Sequence, residues 1–360
     1  MTKISSRQLL FFLAVIAPLG KMIIMPAQLV VFSKNDLLLS TLINAVLQTG
    51  AVFLAVFAAR HQKSLSVLLA ERFGTITAKI VCCILSLFLL YAALLPIMEQ
   101  KLMVQNVFYD TLPSYITFAP FYLFSVYLCY HSISRIGRAW DFLMPLVVFS
   151  LLGIFIFAAG EVDFGALLPI GGTGAKSVFT GAAYTTGWFF DSAMLLSLVG
   201  KIDYKKGLAA KSALFYAVGS LILLLFLAFY YGIFSDIAPL QLYAFAKISK
   251  YFSAISVLGR IDYLFIHLIS IAMAFYCAMP LQASCDFLKQ TFGDSKPLSA
   301  VYAVGVNLLM LLLSVFLTYS FSSLEKMITQ TLFWIFPIFC LALPVFCLFL
   351  GRNHAHSKIH

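Results

Sequence analysis

Read as apolar and polar positions, the chain is a series of long apolar runs parted by short polar stretches. A bilayer-crossing helix needs roughly 20 mostly apolar residues, and the runs predict about ten. α1 is expected at 8–32, α2 at 37–59, α3 at 76–104, α4 at 114–134 and α5 at 140–159. α6 is expected at 178–199, α7 at 208–234, α8 at 258–283, α9 at 298–318 and α10 at 329–350. Two connecting stretches are amphipathic. SLSVLLAERFG (64–74) follows α2. In LQLYAFAKISKYFSAISVLG (240–259), Phe245, Ile248, Phe252 and Ile255 recur at helical spacing, with Lys247 and Lys250 opposite. That pattern fits either a helix on the membrane surface or one packed over the mouth of the bundle. No loop is long enough for a soluble domain, so residues 1–360 are expected to form one membrane domain. It divides into a five-helix repeat over 1–159, a second over 178–350 and a short tail over 351–360.

Composition excludes a soluble protein. Hydrophobic residues make up 62% and charged residues 11% of the chain, where a soluble domain carries about 25% charged. The net charge of +10 does not mark a nucleic-acid binder, because the basic residues are scattered rather than grouped on a face. They orient the chain instead. With a cytoplasmic N-terminus, the inside segments carry Lys3, Arg7, Arg60, Lys63, Arg72, Lys79, Arg135, Arg138, Lys201, Lys205, Lys206, Lys211, Lys289, Lys296, Arg352 and Lys358. The outside ones carry Lys34, Lys101, Lys176, Lys247, Lys250 and Lys326. Both termini are therefore expected in the cytoplasm. The first run is flanked by Lys3 and Arg7 like a signal peptide, but it lacks an A-x-A site and resumes after Lys21, which fits a retained helix. Most of the seven cysteines sit in apolar runs without a CxxC pair, and neither disulfides nor zinc are expected. Without a Walker A loop, HExxH or dinucleotide fingerprint, no enzyme, catalytic residue, metal site or cofactor is expected.

Chemistry concentrates where the apolar pattern breaks. IAPLGKMIIMP (16–26) puts Lys21 near the middle of α1 beside Pro18 and Gly20. YTTGWFFDS (184–192) puts Asp191 near the middle of α6, with Tyr184, Gly187 and Trp188 before it. Each is the first helix of a five-helix half, and the two run in opposite directions. Paired interrupted helices in inverted repeats point to a transporter-type binding site, so these seven residues are the expected ligand site. A charge in hydrocarbon costs about 3 kcal/mol on insertion scales and normally has a partner. Lys21 is expected to pair with Asp191, either at a substrate or proton site or purely for stability. Arg260 and Asp262, at the start of α8, suit an ion pair or interfacial anchor. Glu99, Lys101 and Gln105 near the outer end of α3 suit solvated or capping roles. Asn44 and Gln48 on one face of α2 suit interhelical hydrogen bonds.

These segments, in their order, resemble the B subunits of spore germination receptors, the endospore germination permease family of the amino acid/polyamine/organocation transporters. The resemblance rests on KISSRQLLFFL (3–13), Pro26 followed by SKNDLLLSTL (33–42), LLPIGGTG (167–174), and YAFAKISKYFSAISVLGRIDYLFIHL (243–268) with Arg260 and Asp262. It implies an all-α membrane protein of ten helices in a five-plus-five inverted repeat. It also implies sensing of a small nutrient, with A and C receptor subunits as partners in the spore inner membrane. Leu19-Gly20-Lys21-Met22 departs from the family's Gly, small polar, Gly pattern, which points to an anionic ligand or to a lysine that fills the site. Proton-coupled transport of an amino acid or amine, and a structural subunit without ligand, are the alternative functions.

Overall fold

In lipid, backbone polar groups must be bonded within their own segment, and the apolar runs accordingly become helices. The computed structural model describes residues 3–109, 111–131, 133–251 and 261–350. Among these residues there is no strand, only an isolated bridge between Ile4 and Ile202. Arg260, Phe252 and Ile255 lie outside the described residues.

α1 is two helices, Ser6–Leu19 and Met25–Ser33, separated at residues 20–24. α2 spans Leu37–Ala58, α3 Thr75–Phe108, α4 Ser114–Tyr130, α7 Leu208–Phe234 and α9 Lys296–Phe316. α6 is broken between Ala175–Thr185 and Asp191–Ser197, with a tight turn at Thr186–Trp188. Among the described residues, six helical runs are long and apolar enough to cross a membrane, and a bent pair makes a seventh. The broken α6, the first α1 piece and the short α4 fall below that length, and the breaks in α1 and α6 lie in the two helices expected to be interrupted.

Three boundaries differ from expectation. α5 covers Ile133–Ala158 and so starts before 140; Arg135 and Arg138 ride on the helix instead of ending it, because long basic side chains can keep their heads in a polar setting. α8 covers Ile261–Phe292. Its run past 283 carries Gln282, Ser284 and Asp286, which face the interior and so look like a helix end in sequence. α10 is not one rod from 329 to 350. It is Phe321–Thr331 followed by Ile335–Leu348, bent by 61°.

α3 packs along α8, α2 along α7, and α4 along α9. α7 also crosses α1 at close range. A Cβ on Gly219 would stand 2.7 Å from the Leu13 carbonyl oxygen and 2.9 Å from that of Ala14. Small residues allow such approaches between membrane helices. Gly219→Ala is expected to destabilise the protein by about 1–3 kcal/mol, read as thermal unfolding of the purified chain. Gly305→Ala, with nothing within 4 Å, is the control and should stay within about 0.5 kcal/mol of the parent.

Lys101 takes the capping role, not the solvated one, of the two expected for it. It is 1% exposed, and its ammonium donates to the Ser314 carbonyl (2.6 Å) and Thr318 Oγ1 (2.7 Å). A cation at the last turn of α9 meets carbonyls that have no helical partner. The segment before α8 is also inward. Phe245 and Ile248 are buried, so its described part is a cover over the bundle, not a helix floating on the surface. Asp36 binds the 167–174 loop through the Gly171 amide (2.5 Å) and the Thr173 amide and hydroxyl (2.8 and 2.5 Å). Two of the segments that carry the sequence resemblance therefore hold each other.

Candidate functional site

The broken stretches of α1 and α6 meet inside the bundle. At the end of the first α1 piece, the amides of Lys21 and Met22 bond back to Pro18 and Leu19 (both 3.0 Å). The Lys21 ammonium then caps the Ala17 carbonyl at 2.9 Å. Asp191 opens the second piece of α6. The cation thus sits at a helix C-terminus and the anion in a first helical turn, the arrangement that helix dipoles favour at both ends. Lys21 Nζ lies 2.8 Å from Asp191 Oδ2, and both residues are no more than 1% exposed.

The pair is enclosed by aromatic groups. Tyr216 on α7 donates to Asp191 Oδ2 (2.8 Å), and Tyr276 on α8 donates to Oδ1 (3.4 Å). The Phe189 and Tyr276 rings lie 5.2 and 5.7 Å from the ammonium, within cation–π range. Gly20 lets Tyr276 close over the break: a Cβ there would fall 2.1 Å from the ring. Pro18 lines the same wall with Tyr216 and Gly219, and the space left beside Lys21 is about 10 Å³.

The remaining break groups are bonded by neighbours. Asn44 donates to the Ala182 carbonyl (2.8 Å) and Thr185 Oγ1 (3.1 Å). In the amide orientation that satisfies the break, the Gln48 oxygen accepts from the Asp191 and Ser192 amides (3.1 and 2.9 Å). The Ala244 amide of the covering segment donates to the Ile23 carbonyl (2.8 Å). A cover bonded to broken backbone is how unwound segments survive at membrane depth.

The sequence-derived residues do not all converge. Pro18, Gly20, Lys21 and Asp191 do. Trp188 and Gly187 form an adjoining wall, where the Trp188 indole donates to Glu99 Oε1 at 2.6 Å. Tyr184 packs elsewhere, edge-on to Phe32 and Phe333. Asp262 is buried at the start of α8 beside a cleft that it lines with Tyr243 and Lys247, not with Lys21 and Asp191. Glu99 is the clearest correction. It is fully buried, not solvated. Tyr216, Tyr276 and Glu325 were not singled out in the sequence. For Glu99 a signal existed: Phe88, Tyr91, Leu95 and Glu99 recur at three- and four-residue spacing and share the α3 face toward α6 and α10. Seven free cysteines occur, and among the described residues no metal-binding cluster of His, Cys, Asp or Glu is present.

Two clefts flank this sealed centre. One of about 570 Å³ is lined by Asn106, Tyr243, Lys247, Lys250, Asp262 and Tyr263. The other, about 540 Å³, is lined by Gln62, His131, Lys201, Asp286 and Lys289, with Lys201 bridged to Asp286 at 2.8 Å.

A family model described as spore germination protein matches residues 3–314. No curated protein matches the chain by sequence. Among solved structures, a substrate-bound, outward-open Na+-coupled sialic acid symporter is 10% identical, with a TM-score of 0.60 over 88% of this chain and 75% of that one. A mutant form of the Eremococcus coleocola manganese transporter is 13% identical, with a TM-score of 0.58 over 95% of this chain and 77% of that one. At such identities the likeness concerns the fold, which is that of an all-α membrane permease.

Proposed function

The chain belongs to the spore germination protein family, and from that premise we propose that it is the permease-like subunit of a nutrient germinant receptor. It binds a small nutrient at the α1 and α6 breaks and signals together with A and C subunits in the spore inner membrane. In this reading the chain is one membrane domain of ten crossings, its two five-helix halves are inverted repeats, and both termini are cytoplasmic. The observation that carries the proposal is the meeting of two unwound stretches, 20–24 and 186–190, inside the bundle. Permease folds place ligands at such breaks.

Gly187 tests the site without removing a charge. A Cβ there would stand 3.3 Å from Ile328 and 3.6 Å from Phe336, so Gly187→Ala fits after a shift of a few tenths of an ångström. The added methyl should change the nutrient concentration for half-maximal germination by about tenfold or more, at unchanged abundance on an immunoblot. An unchanged dose–response at normal abundance rejects the site.

One observation favours a second reading. Clefts of similar size lie either side of the centre, and the structural relatives are transporters. Uptake of labelled nutrient by proteoliposomes that contain this chain alone would select transport over signalling.

A further inference from the structure

The Lys21–Asp191 pair is self-satisfied, but a second acidic group beside it is not. Glu99 is fully buried and Glu325 is 8% exposed. Glu99 Oε1 takes the Trp188 indole N–H and the Ile24 amide lies within reach of the same carboxylate, whereas Glu99 Oε2 and Glu325 Oε1 have no hydrogen-bond partner of good geometry. Among the described residues no basic side chain lies at salt-bridge distance from either carboxylate. Lys101, two residues along α3, is turned to the end of α9, and Lys326 is exposed.

The two carboxylates face one region. Leu95, one turn before Glu99, and Ile328, one turn after Glu325, would both touch a methyl group on Gly187, at 3.7 and 3.3 Å. Glu99 and Glu325 are close enough for their charges to interact, and Tyr243 also lies within electrostatic reach of Glu99. Tyr243 lines the 570 Å³ cleft, so the carboxylates sit behind the wall of an open approach.

Buried acceptors without donors are rare, and each needs an explanation. Carboxyl groups buried without an ion-pair partner either hold protons or take a cationic donor, and Lys326 reaches Glu325 only at a distance. A hard divalent metal ion suits the surroundings poorly: ions such as Ca²⁺ and Mg²⁺ take six or more oxygen ligands, and this wall is indole and aliphatic. A protonated amine suits it well. It brings three N–H donors and its charge gains from the adjacent Trp188 ring.

We infer that Glu99 and Glu325 form a subsite for the protonated amine of a small organic ligand, with Trp188 as its aromatic wall. This deepens the helix-break reading above and rests on it. It also reverses the ligand charge that Lys21 suggested, because Lys21 is already neutralised by Asp191.

The test is ligand-dependent thermal unfolding of the purified full chain in nanodiscs, using three-carbon probes at constant ionic strength. Propylammonium chloride should raise the unfolding temperature, while sodium propionate, propionamide and Mn²⁺ should not. Glu99→Gln should weaken the propylammonium response by about 30-fold or more. Glu325→Gln should act in the same direction and serves if Glu99→Gln does not fold. A propylammonium response that is absent in the parent, or undiminished in both variants, overturns the assignment. A response to propionate or Mn²⁺ alone also overturns it. The helix-break site itself is decided separately by the Gly187→Ala dose–response.

Discussion

Lys21→Met is expected to destabilise the protein by about 3–5 kcal/mol, and Asp191→Asn by a comparable amount. Each single change strands a charge where both partners are no more than 1% exposed. After Lys21→Met, the Asp191 carboxylate keeps only the Tyr216 and Tyr276 hydroxyls. After Asp191→Asn, the ammonium keeps the Ala17 carbonyl and two aromatic faces. The double variant removes both charges and should recover most of the loss, since a buried ion pair replaced as a unit is often neutral in stability. Thermal unfolding of the four proteins closes a double-mutant cycle. Additive losses would mean that the two charges do not stabilise each other. Full recovery of fold with lost nutrient response would instead give the pair a role in signalling.

Gly20→Ala is the second large effect. The methyl would fall 2.1 Å from the Tyr276 ring, and that ring is 1% exposed with its hydroxyl on Asp191. It cannot rotate away without leaving the carboxylate or entering packed core. Overpacking typically costs about 1–3 kcal/mol and occasionally more. The lost hydrogen bond to a charged group adds about 1.5 kcal/mol or more, so a total near 3 kcal/mol or above is expected. Gly20→Ala combined with Tyr276→Ala should be less damaging than the two single losses added together. Strict additivity in unfolding temperature would show that the ring is not the obstacle.

Much of this is legible in the chain because hydrocarbon is a simple solvent. A run such as 208–234 has one stable form in it, and α7 occupies those residues. Lys21 and Asp191 stand out because a lone charge in such a run needs a partner, and each has one candidate. Tyr216 and Tyr276 leave no mark, since a buried tyrosine that bonds a carboxylate looks in sequence like any packed aromatic. Glu99 was misread because Lys101 and Gln105 follow it and the cluster looks like a helix end. Its burial depends on α3 continuing to Phe108 and on α10 bending back against α6, neither of which is local to the sequence. For the bend itself, at residues 332–334, one local signal exists: Pro337, one turn later, has no N–H for the Phe333 carbonyl. For Arg260 the structure makes no statement.

The sealed centre has an electrical consequence. A cavity must offer about 10–15 Å³ to admit one water molecule, and the space beside Lys21 is about 10 Å³. Ions move through proteins along files of water, and a space of this size beside the Lys21–Asp191 pair has no room for such a file. A hydrated ion therefore does not fit past this pair in the conformation described, whichever cleft it enters from.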